Sequence, residues 1–340
     1  MVSFACVRSV KALRLTVLGV ALAAMQGCGM IYKTTGDVLV SFGRSEMVPY
    51  MMSDNDSRIA CAAGEAQTPL LMSFGRVGAH PDKLAVLLYV TAASCTDALA
   101  AEEELRYLRA VKQGNVAEAQ DARTAQKRYA AISARRQHES YRRMISVYNP
   151  KGEECPKLKS DFDQLVWLIG NLGGVQALVN DGVADGTVGV PRDLAAKVER
   201  GMTCLDNEQW WGAPRGIRAS IWNLLPMLAP KNAEPWKELE ASAQRGFKSG
   251  VRLGSAMYAL AAYSKGDNER MRKALRDFAA NDKNINADYR IIDIMAGTMV
   301  QTISDKAWTE ATGKRTPLGG LGTFWDDART TPSVNIDDLL

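Results

Sequence analysis

Histidine is nearly missing from this 340-residue chain: His80 and His138 are the only two. His80 precedes Pro81 at a turn, and His138 sits in a charged stretch. Neither has a cysteine or carboxylate partner at metal-ligand spacing, so both read as solvated side chains. The sequence holds no nucleophile elbow and no paired-carboxylate motif. The Gly-rich turn at 181–191 is not followed by a phosphate-loop lysine. The expectation is a chain with no catalytic residue, no metal and no cofactor, hence not an enzyme. Excess charge is lacking as well. Of 42 Lys and Arg, Arg8, Lys11 and Arg14 lie before residue 28; 42 − 3 leaves 39 against 38 Asp and Glu. A balance of about +1 gives no sign of a polyanion-binding surface, so no nucleic-acid partner is expected. Aromatic residues make up only 7%, β-branched runs are few and alanine is abundant. Those biases point to an all-α fold.

The first 28 residues carry the most specific signal. The three basic side chains precede an apolar run at 15–25, which ends in Met25-Gln26-Gly27-Cys28. This is the layout of a secretory signal, and the run is too short to span a bilayer. Gly27-Cys28 resembles a lipobox, although Met25 and Gln26 depart from the usual residues. The resemblance implies cleavage before Cys28, a diacylglycerol on its thiolate sulfur and acylation of the new N-terminus. An ordinary cleaved signal with an incidental Cys28 is the plainer reading. Gly29, rather than Asp, follows the cysteine. By resemblance to lipoproteins of two-membrane bacteria, this implies the outer membrane, with the domain lipid-anchored and facing the periplasm.

Four cysteines remain after the signal: Cys61, Cys95, Cys155 and Cys204. An even count in an exported chain reads as disulfides, with three possible connectivities. Helices expected at 58–76 and 82–112 turn near Gly78. Cys61 and Cys95 lie about 17 residues to either side of it, which sets them at equal height in an antiparallel hairpin. Cys155 and Cys204 then pair across the 157–200 region. Unpaired buried thiols are the alternative.

The chain divides, on this reading, into a signal (1–27), a tether and entry segment (28–57) and long helical hairpins (58–150). A C-terminal helical region (151–315) and a mobile acidic tail (316–340) follow. The stretch from Val38 to Phe42 is expected to start a helix packed beneath the domain. After the helix at 82–112, a second long helix at 116–148 completes a hairpin. Its Arg123, Lys127, Arg128, Arg135, Arg136, Arg142 and Arg143 read as a solvated face, because Glu118, Asp121 and Glu139 are interleaved. Asn149-Pro150-Lys151-Gly152 marks the expected domain boundary. Further helices are expected at 191–201, 214–229, 235–249, 251–265, 267–281 and 288–311.

The helix expected at 157–180 is apolar on nearly every side, so it should be central and buried. It nevertheless holds Gly170, Gly173 and Gly174. Two readings stand: close packing in a core, or space for a ligand. Trp167, Trp210, Trp211 and Trp222 fall in this most apolar third of the chain. Asn171, Arg215 and Arg218 are the polar groups that would orient a ligand among them, with Gly170 and Gly174 giving close approach. Core filling by the tryptophans is the alternative.

The hairpin at 251–281 resembles a degenerate tetratricopeptide unit. Ala259 stands seven residues before Gly266-Asp267, and Met271, Leu275 and Phe278 follow on the second helix. Met271 and Ala262 depart from the consensus Ala and Tyr. With the lipobox, the 167–180 stretch and the Trp210-Trp211-Gly212 stretch running to Pro230, the chain over about 28–310 resembles the T-component lipoproteins of TRAP-type transporters. It is similar also to the lipoprotein of bacterial sterol-transport systems. The resemblance implies helical hairpins with tetratricopeptide-like repeats around a central apolar helix. It further implies a protein that binds or hands over a hydrophobic small molecule, lipid-like, sterol-like or an organic acid, beside a periplasmic binding protein or transporter. The alternative role is a scaffold that docks such a partner without binding a ligand.

Overall fold

The computed structural model describes residues 29–152 and 154–328. Cys28, the expected lipidation site, lies outside the described residues, as do the signal and residues 329–340. The fold is all-α: 75% of the described residues are helical, and no strand occurs among them. A helix at 29–42 (α1) runs through a π-turn, Gly43–Met47, into Val48–Ser53 (α2). Ser57–Ser73 (α3), Asp82–Lys112 (α4), Val116–Tyr148 (α5), Asp161–Val183 (α6) and Leu194–Gly201 (α7) follow. Then come Ala213–Leu224 (α8), Pro235–Ser249 (α9), Leu253–Ser264 (α10), Asn268–Ala280 (α11) and Arg290–Thr312 (α12).

Local chemistry sets most of these ends. Asp56 caps α3 by accepting from the amides of Arg58 and Ile59. Ser160 accepts from the Asp163 amide at 3.2 Å, and Asp163 in turn accepts from the Lys159 amide at 3.2 Å, a variant of the capping box. That cap starts α6 at Asp161 rather than at 157. α8 stops at Leu224, not 229, because Pro226 disfavours helical backbone at the residue before it.

The chain forms two compact units. Among the described residues, one holds those up to Thr96 with Ala131–Gly182 and Gly186–Cys204; the other holds Asp97–Ala130, Val183–Asp185 and those from Leu205 on. The boundary expected at Asn149-Pro150-Lys151-Gly152 therefore falls inside the first unit. Sequence order misplaced it because α4 and α5 each supply residues to both units.

Within the first unit both expected disulfides are present, Cys61–Cys95 and Cys155–Cys204. The second closes a span of 49 residues, worth roughly 3–4 kcal/mol by constraining the unfolded chain. Gly64 lets α3 reach α4: a Cβ there would lie 2.5 Å from the Ala92 nitrogen. The segment 82–112 is long and apolar enough to cross a membrane, yet 56% of its most apolar window is buried. Ser133 and Thr96 share a buried 2.7 Å hydrogen bond between α5 and α4.

The entry helix differs from expectation. Gly36 and Gly43 face the core, against Ala79 and Phe74 and against Leu84, whereas Val38 and Phe42 point to solvent. In the second unit, α8 packs on α9, and α10 packs on α8, α9, α11 and α12. Ser242 of α9 is the junction: a Cβ on Gly216 or Gly254 would come within 2.4 or 2.3 Å of its Oγ, which donates to the Gly212 carbonyl. The start of the expected mobile tail is also packed. Phe324 is buried, the Trp308 indole donates to the Thr323 carbonyl at 3.0 Å, and Arg272 makes a bidentate pair with Asp326 at 2.8 and 3.0 Å.

Candidate functional site

The nine residues expected to line a ligand site fall into two groups. Trp167, Gly170, Asn171 and Gly174 belong to the first unit, and Trp210, Trp211, Arg215, Arg218 and Trp222 to the second. Each group is integrated into its own unit's packing.

On α6, Trp167 is buried, its indole N–H donates to the Gly201 carbonyl at 2.7 Å, and its ring meets Tyr148 edge-on at 5.8 Å. Asn171 donates to the Trp167 carbonyl at 2.8 Å and to the Met144 sulfur at 3.4 Å. A Cβ on Gly170 would sit 2.5 Å from Met144 Sδ; one on Gly173 would sit 2.9 Å from Val90 Cγ2. One on Gly174 would meet Tyr141 and Leu194 at 2.8 and 2.9 Å. The body that approaches the glycine face is thus α5, with contributions from α4 and α7. Beside the N-terminal end of α6, Asp163 accepts from Lys83 Nζ at 2.6 Å and from the Tyr148 hydroxyl at 3.0 Å. Burial works against the carboxylate there, but those hydrogen bonds outweigh it and hold its pKa below the usual value.

In the second unit, Trp210 and Trp211 stack edge-on with each other at 5.3 Å and around Tyr289 at 6.1 and 4.6 Å. Trp211 takes a left-handed backbone, φ 56°, followed by Gly212 at φ 78°. Left-handed backbone is costly for a bulky residue and persists because the buried ring cluster fixes it. Arg215 pairs with Glu238, and Arg218 lies over the buried Trp222 ring at 4.8 Å. These tryptophans are core side chains.

The open cavities lie elsewhere. In the first unit a recess of about 280 Å³ is lined by His138, Tyr141, Arg142, Asp193, Leu194 and Lys197, among others. His138, expected to be solvated, is half-buried here. Burial and then Arg142 push its pKa below the ordinary histidine value. Burial, with Asp193 adding to it, pushes the Tyr141 hydroxyl up to about 12. In the second unit a cleft of about 440 Å³ runs between residues 98–105 of α4 and 293–305 of α12. Ala98, Ala101, Leu105, Ile294 and Gly297 form its apolar wall. Arg252 and Asp293 join the lining as a buried bidentate pair, 2.9 and 2.6 Å. Glu102 and Asp305 complete the polar lining; Glu102 pairs with Arg315, and Asp305 accepts from Gln301 and the Thr316 amide. The sequence signal for this cleft was the run of small and polar residues at 297, 298, 301, 302 and 305, one face of α12 at helical spacing.

No group of three or more His, Cys, Asp and Glu side chains suited to a metal ion occurs among the described residues. Comparison with protein-family models, with curated proteins and with solved structures finds no match to this chain.

Proposed function

We propose that this chain is a lipid-anchored, periplasm-facing helical protein of the outer membrane that serves a transport system as a docking scaffold for a periplasmic binding protein or another envelope partner. The observation that carries this reading is the occupation of the expected ligand surface by the chain's own side chains. Met144, Val90, Tyr141 and Leu194 cover the α6 glycines, and Trp167, Trp210, Trp211 and Trp222 are buried among protein partners. Helical-repeat architectures commonly act through exposed surfaces rather than internal cavities. The signal segment, Gly27-Cys28 and two disulfides support an exported, oxidised location.

A carrier role is favoured by one observation, the α4–α12 cleft. Its volume lies in the lower part of the small-molecule range. Three carboxylates, Glu102, Asp293 and Asp305, line it, and Arg315 pairs with Glu102 and Arg252 with Asp293, so three negative groups face two guanidinium groups. That balance suits a neutral or amine-bearing amphiphile better than an organic acid. Organic extraction of the purified full chain, followed by mass spectrometry, separates the roles. The scaffold reading expects no lipid at stoichiometric level, and photo-crosslinks in intact cells to a binding protein or transporter subunit. One bound amphiphile per chain, lost in Gly297→Leu, would establish the carrier instead. A Cβ at Gly297 has only ordinary 3.7 Å contact with Phe278, so that variant can fill the cleft without breaking the fold.

A further inference from the structure

A stripe of exposed apolar side chains runs along the side of the entry helix that faces away from the core. Ile31, Val38, Phe42 and Tyr50 are 64, 60, 55 and 70% exposed. At about 100° per residue, Ile31, Val38 and Phe42 lie within roughly 20° of one line along α1. Tyr50 would fall about 100° off that line in an uninterrupted α-helix. The π-turn Gly43–Met47 corrects this. Its i→i+5 bond, from the Val48 amide to the Gly43 carbonyl, puts one extra residue into the turn. Tyr50 is thereby brought back into the stripe. The same turn keeps Val48 and Met52 on the buried side with Gly36 and Gly43.

Two of the polar residues beside the stripe hydrogen-bond to the helix's own carbonyls. Thr35 Oγ1 donates to the Ile31 carbonyl at 2.9 Å, and Ser45 Oγ donates to the Ser41 carbonyl at 3.1 Å. Lys33, Asp37 and Arg44 lie about 120–160° round the helix from the stripe; Lys33 and Asp37 pair with each other there. Among the charged residues of this segment, Glu46, inside the π-turn, is the one that flanks it. Aromatic side chains such as Tyr32 and Tyr50 suit the interface between water and lipid.

We propose that α1 and α2 lie along the bilayer surface, with Ile31, Val38, Phe42 and Tyr50 inserted at the level of the headgroups and upper acyl chains. The inference rests on the lipid-anchor reading, because an acylated Cys28 would fix the chain to the membrane three residues before Ile31. From Ile31 to Tyr50 the stripe is about 28 Å long at 1.5 Å per residue. An upright helix would lift most of it into water, whereas a surface-parallel one brings all four side chains to lipid. A protein groove or a second copy of this chain would bury the same stripe, but neither explains why it starts at the anchor point.

The test uses the full-length acylated protein in phosphatidylethanolamine–phosphatidylglycerol vesicles. Nitroxides are placed singly through Val38→Cys, Phe42→Cys and Tyr50→Cys, with Asp37→Cys and Ser264→Cys as controls. Cys61, Cys95, Cys155 and Cys204 are held in disulfides and do not take label. Collisions with oxygen and with a water-soluble nickel chelate report depth. The three stripe positions should show an oxygen-to-nickel ratio several-fold above both controls, and only when vesicles are present. Circular dichroism confirms that each variant folds. Fatty-acid labelling reads the anchor separately. A labelled chain whose stripe positions stay aqueous overturns the inference and keeps the anchor. An unlabelled chain that binds vesicles with a buried stripe keeps the inference and removes the anchor. Protection that appears without vesicles and rises with protein concentration means a second copy, and overturns the inference.

Discussion

Replacing Gly170 tests the central structural claim, that the glycine face of α6 is closed by α5. An alanine Cβ at this position would lie 2.5 Å from Met144 Sδ, 2.9 Å from its Cβ and 3.1 Å from its Cγ. Rotation of the Met144 side chain can move the sulfur and Cγ, but Cβ is fixed to the α5 backbone. Part of the clash therefore needs the two helices to separate. Alanine gains about 1 kcal/mol of helix propensity over glycine, and overpacking costs roughly 1–3 kcal/mol. Gly170→Ala should destabilise by about 1 kcal/mol, and Gly170→Leu, with three more carbons, by ~3 kcal/mol or more. Met144→Ala alone removes a fully buried side chain, at a cost of about 2–5 kcal/mol. The double variant Gly170→Leu with Met144→Ala should cost less than the sum, with a coupling of about 1–3 kcal/mol. Guanidinium unfolding of the full chain with disulfides intact, followed by circular dichroism, measures all four species. The reasoning fails if Gly170→Leu leaves the midpoint unchanged, or if the double variant is additive to within about 0.5 kcal/mol. Either result would mean that the α6 face is free, and would return the ligand reading to it.

Three further outcomes are expected. Cys155→Ser with Cys204→Ser should cost about 3–4 kcal/mol, and non-reducing peptide mapping should recover only Cys61–Cys95 and Cys155–Cys204. Asp293→Asn should destabilise by about 3–5 kcal/mol because it leaves the buried Arg252 charge without its carboxylate, while Asp305→Asn, at the same cleft, should stay within about 1 kcal/mol of wild type. Stability should fall with acid in two steps. His138 is harder to protonate in the fold than at its ordinary value of 6.5, so stability declines as pH drops through 6.5 and levels off below the lowered folded value; His138→Gln should flatten that step. Asp163, depressed below its ordinary value of 3.8, contributes fully above that pH and loses its contribution as pH falls through the folded value. Urea midpoints measured from pH 7 to 3 check both.

Much of the architecture was legible because it follows local rules. Gly78 and the helical rise set Cys61 opposite Cys95, and the structure has that bridge with a Cα–Cα distance of 5.3 Å. α4, α5 and α9 to α11 lie close to their expected spans because caps, Gly-Asp turns and apolar periodicity agree there. The departures arise where tertiary geometry decides. Val38 and Phe42 have the right spacing for a buried stripe, but Gly36 and Gly43 form the face that packs; periodicity finds two opposed faces and does not say which goes inward. The π-turn has no residue signature of its own. Arg252 and Asp293 are 41 residues apart, and nothing local to either marks the other as its partner.

The three glycines of α6 show why a candidate site was harder to place than a helix. A glycine costs about 1 kcal/mol relative to alanine within a helix, so three in five positions signal an approaching body. The sequence does not identify that body, because a side chain from α5 and a ligand demand the same missing Cβ. What distinguishes them is the surrounding polar accounting. Asn171 spends its amide N–H groups on the Trp167 carbonyl and the Met144 sulfur, and Trp167 spends its indole on the Gly201 carbonyl. A site built to orient a ligand would hold such donors ready for it. Here they are committed to the fold, which leaves the exposed stripe of the entry helix and the α4–α12 cleft as the surfaces open to another molecule.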